Sequence, residues 1–104
     1  MELNENEILE EIEELKQIVL ELKIRMRESY HILKEEIFLL CDDVKDNIYL
    51  SQNDFELMVD LLLNYAMYVD IKNEFDSLIK AYFTLYPDSV ENYIGYYNEM
   101  LEES

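Results

Sequence analysis

An all-α fold, with one long helix followed by three short ones in a small helical bundle, is predicted by three observations. The 104 residues include a single glycine, Gly95, and a single proline, Pro87, so the tight turns that join strands lack their usual residues. Apolar residues recur at three- and four-residue intervals along the chain. No helix breaker falls within the first 46 residues. With half of its residues apolar, a chain of this length builds one core and reads as a single domain: an acidic helix over 1–46 and a three-helix bundle over 53–104 packed on that helix's C-terminal part.

The first element is expected from about Glu5 to Asp46. Ile8, Ile12, Leu15, Val19, Leu22 and Met26 alternate steps of four and three, which is a heptad with Ile12, Val19 and Met26 at a and Ile8, Leu15 and Leu22 at d. β-Branched residues at a with leucine at d favour a parallel two-stranded coiled coil, and Glu11 at g could then reach Lys16 at e of a second chain. These six residues are the predicted dimerisation surface. After Met26 the step is four again, to Tyr30, then Leu33, Ile37, Leu40 and Val44; this stutter unwinds a supercoil locally. The competing reading is that the stripe packs on the protein's own later helices.

Residues 47–52 are expected to connect, with Ser51 or Asn53 capping a second helix that buries Phe55, Met58, Val59, Leu62, Tyr65 and Ala66. Asp70 is placed to cap a third helix, with Ile71, Phe75, Leu78, Ile79 and Tyr82 inward and Pro87 ending it. Asp88 or Ser89 is expected to cap a fourth helix carrying Val90, Tyr93, Ile94, Tyr97 and Leu101 on one stripe. Gly95 inside that helix costs about 1 kcal/mol relative to alanine, which a close helix contact would justify.

The net charge is −17, from 25 acidic and 8 basic side chains. It is spread over the molecule: residues 1–46 carry 14 acids and 6 bases, residues 47–104 carry 11 and 2. Direct binding of nucleic acid is disfavoured, because phosphates need lysine and arginine to displace their counterions. One cysteine, Cys41, excludes an internal disulfide and fits a reducing compartment. The first residues have neither a basic region nor an apolar run of signal-peptide type, and the longest apolar run, Ile37 to Cys41, is far short of a membrane span. A cytoplasmic location is therefore expected.

No catalytic, cofactor or metal site is predicted. Phosphate-binding loops need glycines that this chain lacks. Glu28 and His31 have the Glu-x-x-His spacing of di-iron bundles, but such sites need two copies and two further carboxylates. Arg25 and His31 resemble the Arg-x(4–6)-His motif of HEPN ribonucleases, an all-α family whose motif implies action on RNA across a dimer. Met26 stands where that family has a polar residue, and the acidic charge opposes an RNA substrate.

The acids themselves are the remaining signal. Glu7, Glu10, Glu11, Glu14, Asp54, Glu56, Asp60, Asp70, Glu74, Asp76, Asp88 and Glu91 are the expected partner-binding carboxylates. Held by helices about 5–6 Å apart, they could imitate a nucleic-acid backbone. Tyr68, Tyr86 and Tyr96 fall off the inward stripes and are the expected aromatic contacts, since tyrosine is enriched at binding hot spots. In size and acidity the chain resembles phage-encoded blockers of restriction and CRISPR nucleases. That likeness implies an inhibitor occupying the basic groove of a nuclease in a bacterial host. The alternative is a dimerising coiled-coil adaptor, or an antitoxin or immunity module, that binds a partner protein.

Overall fold

The computed structural model describes residues 4–103. Four helices, α1 (Glu5–Lys45), α2 (Gln52–Asn64), α3 (Lys72–Tyr82) and α4 (Pro87–Glu103), account for most of them, and one 3-10 turn, Tyr65–Met67, extends α2. No strand occurs among the described residues.

Each helix end has a local cause. Asn4 opens α1 with a capping box: its side chain accepts from the Glu7 amide at 2.9 Å, and the Glu7 carboxylate accepts from the Asn4 amide at 3.3 Å. From there α1 runs unbroken past Ser29 for 41 residues. It closes where Asn47 takes a left-handed conformation (φ 62°), with the Asn47 amide donating to Val44 and the Ile48 amide to Asp43. The Ser51 hydroxyl accepts from the Asp54 amide at 3.2 Å and starts α2. The Asp70 carboxylate accepts from the Lys72 amide at 3.0 Å at the head of α3.

Pro87 has a different place from the one expected. Helix α3 ends at Tyr82, and the amides of Leu85 and Tyr86 close a turn back onto the Tyr82 carbonyl. Pro87 is then the first residue of α4, where its fixed φ suits a helix and its missing amide proton costs nothing. Neither Asp88 nor Ser89 caps the helix, since both lie inside it. Gly95 also differs from expectation: it is exposed, and a Cβ there would meet nothing within 4 Å.

The core joins Tyr30, Leu33 and Ile37 of α1 to Phe55, Val59 and Leu62 of α2, Ile71 with Phe75, Leu78 and Tyr82 of α3, and Val90 and Tyr93 of α4. Phe55 stacks on Tyr82 with ring centroids 4.6 Å apart, and Phe75 lies against Tyr97 at 4.4 Å. Helix α1 reaches this core only from Met26 onward. The first half of α1 projects from the bundle, giving extents of 62 × 26 × 21 Å and a radius of gyration of 18.7 Å. A compact domain of this length would measure about 13 Å. The long dimension is that of α1 itself, since 41 helical residues span about 61 Å.

Candidate functional site

Two surfaces stand out, and the folding of α1 separates them. The first is the apolar stripe of the projecting half. Ile8, Ile12, Leu15, Val19 and Leu22 lie on one face, each between 41% and 60% exposed. Every residue from Asn4 to Arg25 is exposed, so this part of the stripe touches no other helix of the chain. Met26 is half-buried against the core and marks where the stripe stops being free. Beyond it the same stripe, as Tyr30, Leu33 and Ile37, is covered by the bundle. The reading in which the stripe packs on the protein's own later helices thus holds for the second half of α1 and not for the first. Leu9, Ile18, Leu20 and Ile24 are also exposed. Leu9 and Ile18 flank the seam, whereas Leu20 and Ile24 lie away from it, which the heptad pattern does not reveal.

The second surface is acidic, and the structure divides the expected carboxylates into unlike groups. Glu7, Glu10, Glu11 and Glu14 project from α1 into solvent, as do Asp54, Asp70, Asp88 and Glu91 from the bundle; Asp76 is half-buried. Glu74 does not belong to an outward array. It is 5% exposed, and its carboxylate sits 3.4 Å from the Lys34 ammonium across α1 and α3. Glu56 is half-buried and accepts a hydrogen bond from the Ser89 hydroxyl at 2.7 Å; Ser89 in turn accepts from the Gln52 amide nitrogen at 2.8 Å. Asp60 is exposed, and its carboxylate accepts from the Tyr93 hydroxyl at 2.9 Å. Glu56 and Asp60 therefore stitch α2 to α4. Nor is α1 a continuous rail of negative charge. The run of acids ends at Glu14, and Lys16, Lys23, Arg25 and Arg27 follow. From Glu5 to Glu14 is about 15 Å of helix, not the whole length of the rod.

The three tyrosines also part company. Tyr96 is exposed, edge-on to Tyr93 with centroids 5.9 Å apart. Tyr68 is half-buried. Tyr86 is an internal residue instead: its ring lies 5.9 Å from Phe55 and 6.0 Å from Tyr82, and its hydroxyl donates to the Leu50 carbonyl at 2.7 Å. The sequence pattern missed it because Leu50 is in a loop, outside any helical register.

Below these surfaces, among the described residues, the Tyr30 hydroxyl of α1 is buried near the Glu74 carboxylate of α3. Burial first, then the nearby Glu74 and Asp70 carboxylates, push its ionisation above the ordinary tyrosine range.

His31, Arg25 and Glu28 are all exposed on α1. Cys41 is half-buried, and burial with Asp42 beside it pushes its thiol pKa up, away from the thiolate that a nucleophile needs. No group of three or more His, Cys, Asp or Glu that could hold a metal occurs among the described residues. No helix among them is long and apolar enough to cross a membrane. Compared with protein families, curated proteins and solved structures, the chain matches none of them.

Proposed function

We propose that the protein is a non-catalytic interaction protein that self-associates through the projecting half of α1 and offers its acidic bundle to a cationic surface of another protein. The observation that carries this reading is the apolar stripe from Ile8 to Leu22, about half exposed along a stretch of helix that no other described residue of the bundle covers. Isolated apolar side chains on a surface need no explanation, but a register-true row of them marks an interface. Burying the exposed half of each would contribute about 1 kcal/mol per side chain. Sedimentation of the full chain over a range of concentrations tests the first half of the proposal. A monomer up to the millimolar range would sink it.

A second reading keeps the same bundle surface and names its partner as the basic groove of a nucleic-acid-binding enzyme. It is favoured by the charge of residues 47–104, where 11 acids face only Lys72 and Lys80. Association with such a groove would be fast and would weaken with salt, because it is steered by charge. The test is competition with DNA or RNA for a basic nuclease at low and high salt. Displacement that does not change with salt rules out charge mimicry.

A further inference from the structure

We infer that the projecting halves of α1 pair antiparallel in a two-fold dimer, with the acidic tip of each helix against the basic middle of a second copy. This rests on the self-association proposed above and adds its direction, which heptad composition alone assigns as parallel. The argument is the distribution of charge along the rod.

From Glu5 to Leu15 the helix carries six glutamates and no base; from Lys16 to Arg27 it carries four bases and one glutamate. The projecting segment is therefore bipolar, with net −6 followed by net +3. Parallel pairing sets the two −6 segments side by side at a helix spacing of about 10 Å, near the screening length at physiological salt. It also brings the two bundles together, each net −13 over residues 28–104 from 17 acids and four bases. Antiparallel pairing removes both clashes. It lays each −6 segment along a +3 segment and sends the bundles to opposite ends.

The apolar register permits it. Centred at Gln17, the antiparallel alignment sets Leu15 against the partner's Val19, Ile12 against the partner's Leu22, and Ile8 against the partner's Met26. All six seam residues are used, with each a layer meeting a d layer. Beside the seam, Glu11 faces the partner's Arg25 twice, once on each side of the axis, while Ile18 meets its own copy. The cost is Lys16 approaching the partner's Lys16 at the centre. Each of these lysines is already held 3.6 Å from Glu13 of its own helix and stays well exposed. In this alignment the Asn4 cap of one chain lies level with Tyr30 of the other, where the bundle begins to cover α1.

The test is a distance. In full-length protein carrying Cys41→Ser and Glu36→Cys, a spin label at the exposed position 36 reports on the dimer by dipolar spectroscopy. The antiparallel alignment puts the two labels about 57 Å apart along the rod, whereas parallel pairing puts them within about 20 Å. The longer distance supports the inference; the shorter one overturns it and leaves self-association standing. A monomer with no dipolar coupling overturns both. Charge reversal gives an independent check, because only the antiparallel dimer pairs Glu11 with Arg25. Glu11→Arg alone is expected to weaken association about tenfold. Adding Arg25→Glu in the same chain should restore it, and no recovery in the double variant counts against the alignment.

Discussion

The Lys34 ammonium lies 3.4 Å from the Glu74 carboxylate and ties α1 to α3, the pair of helices that holds the rod to the bundle. The two ends differ in exposure: Glu74 is buried, and Lys34 keeps nearly half of its side chain in water. Removing the lysine strands a buried carboxylate, so Lys34→Met should destabilise the fold by about 1–2 kcal/mol, less than for a pair buried at both ends. Glu74→Gln removes the charge that needs a partner and should cost less. Urea titrations of the two variants check the order, and a larger loss for Glu74→Gln would contradict it.

Tyr82 fixes the loop between α1 and α2. Its hydroxyl accepts from the Leu50 amide at 3.0 Å, while Tyr86 donates to the carbonyl of the same residue. Tyr82→Phe keeps the stacked ring but leaves the Leu50 amide without its partner, a loss of about 1–2 kcal/mol. Denaturant titration should show a lower midpoint with an unchanged slope. Hydrogen exchange at Leu50 should speed up more than at Leu62 in the core.

The reach of the sequence can be judged from these residues. Repeats along one helix are visible in it, which is why the stripe from Ile8 to Met26 and the inward faces carrying Phe55, Val59, Leu62, Phe75 and Leu78 could be placed. Caps decided by a neighbour three residues away, such as Ser51 with Asp54, are visible for the same reason. Contacts that cross between elements are not. Glu74, Glu56, Asp60 and Tyr86 all look like surface residues until Lys34, Ser89, Tyr93 and Leu50 are seen beside them, at separations of 33 to 40 positions. The stripe of α4 divides, with Val90 and Tyr93 buried and Ile94 and Leu101 exposed.

Alkaline conditions should unfold the protein through its tyrosines. Burial and neighbouring carboxylates raise the ionisation of Tyr30 and Tyr93, and burial raises that of Tyr82 and Tyr97. A raised folded-state value means the native state holds its protons where the unfolded chain has lost them. Their contribution is therefore complete below pH 10, the ordinary tyrosine value, and is lost progressively above it. Stability measured by thermal melts should be insensitive to these groups up to about pH 9 and should fall steeply beyond pH 10. Tyr93→Phe should reduce the steepness of that fall.

Gly95 is a helix-interior glycine with open space around it. Nothing there requires the missing Cβ, so the only effect of the residue is the backbone freedom it retains when unfolded. Gly95→Ala should stabilise the bundle by about 0.5–1 kcal/mol and raise the melting temperature by a few degrees. Destabilisation would mean that something packs on α4 at this point.

One helix should give two different phenotypes according to position. Leu15 and Leu22 lie on the free half of α1, where each is about half exposed, while Ile37 lies in the covered half at 1%. Ile37→Ala leaves a cavity between α1 and the bundle and should cost about 2–5 kcal/mol of folding stability. Leu15→Ser with Leu22→Ser removes no contact with the bundle, so the bundle's own unfolding should change by less than about 0.5 kcal/mol per site. The double variant should instead lose self-association, seen as a monomer in sedimentation at concentrations where the parent is a dimer. If both sets of variants unfold the bundle alike and leave assembly unchanged, the two halves of α1 do not have the separate roles assigned to them.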